Sequence, residues 1–174
     1  MARDHEPGFA ALLRVIIEQQ VSVQAGAAIW RKLAGSLGEI CPDTILKADA
    51  GQLRRCGLSQ AKTRYATCLA QSIFDGDLNL EELDRMDDTA ARAALTKIKG
   101  IGRWTADIYL MCALDRPDIW PAGDLALAVA AQNLLNLRQR PTLAQLDQIG
   151  EQWRPWRTTA ALMLWKYYRH VRSS

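Results

Sequence analysis

Asp124 follows the turn "PAG" and precedes the apolar run "LALAVAAQNLL". It stands twenty residues after Trp104, which itself follows the tight stretch "KGIG" at 99–102. A carboxylate in that setting can cap the helix that starts there, and a helix N terminus favours its ionised form. An ionised carboxylate can also oppose positive charge developing in a reacting group, or orient and deprotonate water. Spacing alone leaves both roles open, and they are compatible. Asp107, Asp115 and Asp118 are further carboxylates in this stretch; solvent or local hydrogen bonding accounts for them equally well. No histidine or second carboxylate stands out as an acid partner.

The "KGIG" stretch reads as helix, turn, helix. Gly100 and Gly102 permit backbone angles that a residue with a side chain resists, and Ile101 between them can plug the gap between the helices. The second helix starts at about Arg103, and its first backbone N–H groups lack intrahelical acceptors. With the helix dipole they form a ready anion site, to which Lys97, Lys99 and Arg103 add charge. A phosphate held there would fix the position of a nucleic-acid backbone without reading its sequence. An ordinary glycine-stopped turn explains the same residues.

The elements that must position these groups are helical. Apolar residues recur three and four apart through Phe9, Leu12, Leu13, Ile16 and Ile17, then again through Ile29 and Leu33 up to a stop at Gly38. Pro42-Asp43 opens a short helix with Asp43 as its expected cap. Gly57 closes another, Ser59 caps "QAKTRYATCLAQSIF", "DGD" turns the chain, and Asp87 or Asp88 caps "DDTAARAALTKIKG". No alternating strand pattern, long linker or internal repeat is visible. The fold class expected is all-α, with about eight to ten short helices.

Bulk composition narrows the function. The 174 residues are 49% apolar, enough for one sizeable core or two small helical lobes. The net charge of +3 (22 basic, 19 acidic) is compatible with nucleic acid but does not argue it alone. Basic residues do cluster at Arg54, Arg55, Lys62 and Arg64, and at the turn; solvated helix faces would give the same pattern. No leader or membrane-length apolar run is evident, so a cytoplasmic protein without a membrane partner is expected. Cys41, Cys56, Cys68 and Cys112 have no paired spacing and read as reduced core thiols. His5 and His170 lie near opposite ends, so no metal ligation is expected.

"LTKIKGIGRWTADIYLM" followed by "DIWPAGDLAL" resembles the signature of the helix-hairpin-helix (HhH-GPD) DNA glycosylases, and more narrowly the 3-methyladenine DNA glycosylase II family. "FAALLRVIIEQQVSVQAGAAIWRKL" resembles that family's early helix, whose glutamine-rich break faces DNA. "LRRCGLSQAKTRYATCLA" resembles its middle Gly-Leu-Ser segment and "WRPWRTTAALMLW" its closing tryptophan–arginine segment. The segments stand in family order over about residues 8–170. Longer members carry a β-domain ahead of this region, which is not expected here.

The resemblance implies a two-lobed helical fold, with residues 1–174 forming one glycosylase region of two interleaved lobes and the hairpin motif at 95–114. It makes Asp124 the essential aspartate, acting on an oxocarbenium-like sugar as the base departs. Trp104 and Trp165 match aromatic positions of the base pocket, with Tyr109 and Trp120 as further candidates to line the cleft. For each tryptophan, Trp30 and Trp153 included, a place in the core is the alternative. Gln20 matches the residue that wedges into DNA, where family members often have an apolar side chain. Gln19 and Ser22 would be its neighbours at the DNA, unless "EQQVS" is only a polar break in a long helix. At the hairpin, Lys99, Gly100, Ile101, Gly102, Arg103 and Thr105 would meet the phosphates.

Bifunctional members carry a nucleophilic lysine two residues past the second hairpin glycine, where this chain has Trp104. Iron–sulfur members carry four closely spaced C-terminal cysteines, whereas the last cysteine here is Cys112. The resemblance therefore implies a monofunctional enzyme that uses water, with no iron–sulfur cluster and no other cofactor; a monovalent cation at the hairpin carbonyls is left open. The expected partner is damaged double-stranded DNA, and the expected state a monomer. An alkylated base already carries positive charge, which suits a site lacking a general acid. Two alternatives stand: the same chemistry on deaminated or oxidised bases, and a hairpin module that binds DNA without cutting it.

Overall fold

Helical periodicity carries through to the fold. The computed structural model describes residues 7–173, which form ten α-helices and one 3₁₀ turn, with no strand among the described residues. In chain order the helices are α1 (Phe9–Glu18), α2 (Val23–Leu37), α3 (Pro42–Lys47), α4 (Ala50–Arg55) and α5 (Gln60–Phe74). After the 3₁₀ turn at Glu82–Arg85 come α6 (Asp88–Thr96), α7 (Arg103–Cys112), α8 (Leu125–Leu134), α9 (Leu143–Glu151) and α10 (Arg157–Ser173). No helix among the described residues is long and apolar enough to cross a membrane. His5 lies outside the described residues.

The stripe read in α1 is the one that packs: Leu12, Leu13, Ile16 and Ile17 are buried in the core, against α2, α5 and α7. Around them α5 contributes Ala66, Leu69 and Ala70, and α7 contributes Ala106, Tyr109 and Leu110. Helices α8 and α10 form a second packed pair, in which Ala130, Ala131 and Ala161 are buried. Small side chains let helix axes approach closely.

Most helix ends follow local chemistry. Ser59 Oγ accepts from Lys62 N, and Asp87 Oδ1 from Ala90 N. Gly38 and Gly57 end α2 and α4 with positive φ. At α3, however, the N-cap is Cys41 and not Asp43. Pro42, lacking an N–H, takes the first helical position, so the cap falls two residues before Asp43. None of the four cysteines is in a disulfide; Cys56 is buried and the other three are half-buried.

Candidate active site

Asp124 is the N-cap of α8, and its carboxylate is the meeting point of three helices. Oδ1 accepts from the backbone N–H of Leu127 at 2.8 Å, which is the capping bond. The same oxygen accepts from Trp165 Nε1 on α10 at 2.9 Å, and Oδ2 accepts from Trp104 Nε1 on α7 at 3.0 Å. Capping and side-chain recognition thus coexist. Both indoles are half-buried, as is Asp124, so the group is open to an outside reactant. The turn that delivers Asp124 is tight: Ala122 N donates to Trp120 O, and Asp124 N to Pro121 O. Gly123 passes so near Trp104 that a Cβ would lie 3.7 Å from the tryptophan's own Cβ.

The loop between α7 and α8 is bound to the start of α10. Arg157 Nε donates to Asp118 Oδ1 at 2.7 Å and its Nη2 donates to Asp118 Oδ2 at 3.0 Å. Thr158 Oγ1 accepts from Ile119 N at 3.0 Å, and Thr158 N donates to Pro117 O. Because α10 carries Trp165 and the loop carries Asp124, these bonds fix the two against each other. Burial works against the charged form of Asp118, but hydrogen bonds from Arg157 and the charges of Arg157 and Arg154 outweigh it and hold its carboxyl below the usual range. Asp118 is therefore a long-range ion-pair partner and not a solvated loop residue. Arg157 and Thr158 had been legible only as part of a tryptophan–arginine segment.

The hairpin is held by a buried charge. Asp107 on α7 has no exposed surface and accepts from Arg92 Nε on α6 at 2.6 Å, tying the two hairpin helices together. Burial raises the Asp107 carboxyl above its usual value, opposed by the Arg92 bond. Ile101 is buried to 4% exposure and fills the space between the helices. The two glycines differ. Gly100 adopts φ 96°, and a Cβ there would come within 2.2 Å of the Tyr65 ring. Gly102 has φ −90° and ψ 176°, extended backbone open to any residue, and no atom would lie within 4 Å of its Cβ. The expectation of unusual backbone angles at both therefore holds only for Gly100. Gly102 leaves the start of α7 uncapped and bare, so the N–H groups there face outward without a side chain in front of them.

Charge at the hairpin is unevenly available. Lys97 and Lys99 are exposed. Arg103 instead makes a two-pronged pair with Asp147 of α9 at 2.6 and 2.7 Å. The Asp147 hydrogen bond raises its already high pKa against the effect of burial. Thr105 is buried and accepts a hydrogen bond from Gln19. Facing the hairpin, α1 ends at Glu18 and the chain turns through Gln19 and Gln20 before Ser22 caps α2. Gln19 Nε2 donates to Gly100 O at 2.9 Å and to Thr105 Oγ1 at 2.8 Å, so its side chain is bound inside the protein. Gln20 is exposed with φ 54°, a left-handed turn that pushes its side chain outward. Ser22 is exposed, and its hydroxyl accepts from Ala25 N.

Two pocket candidates belong to the core. Tyr109 is fully buried and its hydroxyl accepts from Gly8 N at 3.1 Å. Trp120 is 2% exposed, donates to Leu146 O at 2.8 Å and packs on Trp153 with ring centroids 5.2 Å apart. Tyr109 falls on the buried stripe of α7 shared by Ala106 and Leu110, whereas Trp120 lies in the loop between α7 and α8, where its indole N–H is bound to Leu146 O. Trp30 and Trp153 are half-buried against the core, as the core alternative expected. Among the described residues no cluster of three or more His, Cys, Asp or Glu could hold a metal ion.

Comparison with known proteins bears on the family and the fold. The family model for the HhH-GPD superfamily of base excision DNA repair proteins matches residues 13–155. The chain is 33% identical over 162 residues to DNA-3-methyladenine glycosylase 1 of Schizosaccharomyces pombe, covering 91% of this chain and 71% of that protein. It is 30% identical over 166 residues to a putative DNA-3-methyladenine glycosylase of Bacillus subtilis, covering 91% of this chain but only 58% of the relative. In three dimensions it is similar, at TM-score 0.89 and 31% identity, to a Schizosaccharomyces pombe 3-methyladenine DNA glycosylase in complex with abasic DNA, over 95% of this chain and 84% of that one. With the hairpin and the turn to Asp124 inside residues 13–155, the chain belongs to the HhH-GPD superfamily of base excision DNA repair proteins.

Proposed function

We propose that this chain is a monofunctional DNA glycosylase that hydrolyses the N-glycosidic bond of alkylated bases of the 3-methyladenine type. The observation that carries the proposal is the convergence of Trp104 Nε1 and Trp165 Nε1 on Asp124. It ties an anionic group to two electron-rich rings at one half-exposed place. Relatives and a structural neighbour named as 3-methyladenine glycosylases support the substrate class.

In this reading the molecule is two helical lobes flanking a cleft. The bare start of α7 takes a DNA phosphate through backbone N–H groups, with Lys97 and Lys99 adding charge. Gln20 enters the stack as the damaged base leaves it. The base is received against Trp104 and Trp165, whose faces attract a cationic ring. As the glycosidic bond lengthens, positive charge builds on the sugar and Asp124 opposes it, then orients or deprotonates the attacking water. An alkylated base leaves as a neutral molecule, so the step needs no protonating partner. Trp104 stands where a lyase would need an amine, and an indole forms no Schiff base. The hairpin carbonyls Ile98 O and Gly100 O already accept from Ile101 N and Gln19 Nε2, and no step here requires a cation.

The test is base release from methylated duplex DNA by the wild type and by Asp124→Asn. Release of 3-methyladenine by the wild type, with a loss of roughly 10²–10⁴-fold in the variant, is the expected result. Binding without release of any lesion by either protein would overturn the enzymatic reading in favour of a DNA-binding module. Release confined to deaminated or oxidised bases would keep the chemistry and change the substrate.

A further inference from the structure

Lys62 lies in the first turn of α5, where the helix dipole disfavours a cation. Its ammonium nevertheless reaches back across the fold to the end of α1. There Nζ donates to Ile17 O at 2.6 Å and to Gln19 O at 2.7 Å. Those carbonyls lie at the negative end of α1, where the chain abandons the helix and a cation is favoured. The next residue is Gln20, held at φ 54° with its side chain outward. From the other side, Gln19 Nε2 is bound to Gly100 O and Thr105 Oγ1 of the hairpin. The turn is thus fixed from two elements distant in sequence, and Gln20 projects from it into solvent.

We infer that Lys62 is a positioning residue for Gln20: by pinning the carbonyls of Ile17 and Gln19, it holds the turn in the shape that presents Gln20 to the DNA stack. This inference rests on the reading of Gln20 as the wedge. Partial burial lowers the Lys62 pKa, yet both acceptors are carbonyl oxygens, to which an ammonium makes the stronger, charge-assisted bonds. Methionine at this position keeps the length of the stem and supplies no donor. Arginine keeps the charge and several donors. A positioning role needs the duplex, because a wedge acts only where a base must be driven out of a stack. A general structural role would not distinguish paired from unpaired DNA.

The experiment compares Lys62→Met, Lys62→Arg and Gln20→Ala with the wild type in single-turnover base release from methylated duplex and methylated single-stranded DNA. In parallel, 2-aminopurine placed beside a tetrahydrofuran abasic analogue reports unstacking in duplex DNA. Lys62→Met should lose roughly ten- to a hundredfold on duplex, the scale of hydrogen bonds from a charged donor. On single strands it should stay within about twofold, as Gln20→Ala should, because neither has a stack to enter. Lys62→Arg should recover part of the duplex rate. Combined with Gln20→Ala, Lys62→Met should add little further loss, since both act on one step. Equal losses on duplex and single strands would overturn the inference, as would full duplex activity in Lys62→Met. If the wild type releases no base from either substrate, the glycosylase reading fails. The 2-aminopurine signal then still decides the role of Lys62: a fall in Lys62→Met supports it and an unchanged signal overturns it.

Discussion

Trp165 Nε1 donates to Asp124 Oδ1 at 2.9 Å, joining a helix that starts at Arg157 to the cap of a helix that starts at Leu125. That oxygen also accepts the capping N–H of Leu127, so Trp165 and the helix cap act on one atom. The carboxylate therefore has its direction set by α10 as well as by its own helix.

Replacing Trp165 by phenylalanine keeps an aromatic face and deletes the N–H. Single-turnover base release should fall by roughly ten- to a hundredfold, the scale of a hydrogen bond to a charged group. Met163, two residues away and exposed, should tolerate alanine with no change in rate. Equal effects at both positions would show that the indole N–H has no special part.

The hairpin glycines separate stability from binding. Gly100→Ala should destabilise the fold by about 2–5 kcal/mol, through a positive φ and a clash with the Tyr65 ring. Gly102→Ala meets no atom and no backbone strain, so its urea midpoint should stay near that of the wild type. Its affinity for duplex DNA should nevertheless drop, because the added methyl stands before the N–H groups of α7. Urea unfolding and a fluorescence-anisotropy titration check both halves.

Trp120→Ala should cost about 3–5 kcal/mol, the range for truncating a buried aromatic, and leave Leu146 O without its donor. Gly150→Ala acts on the same contact from the other side, since a Cβ there would lie 2.6 Å from Trp120 Nε1. Both should lower the unfolding temperature. At a temperature where Gly150→Ala is folded, its preference among lesions should match the wild type.

Acid should weaken the grip of the α7–α8 loop on α10. The Asp118 carboxyl is held below its usual value by Arg157 and Arg154, which outweigh the contrary effect of burial. A depressed folded value means that its contribution is present above the unfolded-state pKa and is lost as pH falls through the folded one. Wild-type stability should decline below about pH 4, the region of an unperturbed aspartate. Asp118→Asn should be less stable near neutrality and show a shallower acid decline, measured by urea unfolding across pH. An unchanged slope would remove Asp118 from the account.

Much of this arrangement was legible in the chain. Periodicity located the helices because each one buries a single stripe, as α1 does with Leu12, Leu13, Ile16 and Ile17. Ser59 and Asp87 were readable as caps because capping is local. Asp124, Trp104 and Trp165 were singled out by resemblance, and the fold brings them together. What stayed hidden depends on contacts between distant segments. Trp120 sits in a loop and Tyr109 on a buried helical stripe, and residue type alone does not tell which rings turn into the core. Lys62 read as one member of a basic cluster, because its acceptors are backbone carbonyls, which leave no trace in sequence. Arg103 carried an expected charge, but its partner Asp147 belongs to α9. Gly102 shares its residue type with Gly100 for a different reason, and no pattern in "GIG" separates the two.

The donors to Asp124 come from residues 104, 127 and 165, so its set of partners is complete only once α10 has been made. A nascent chain that has emerged through α7 already holds the whole hairpin, Arg92 and Asp107 included. It lacks Asp124 itself, together with Leu127 and Trp165, two of the three donors to that carboxylate. In order of synthesis the hairpin therefore comes before the carboxylate and its full set of donors. Under the proposed glycosylase reading, a chain made only that far would meet DNA without the means to release a base.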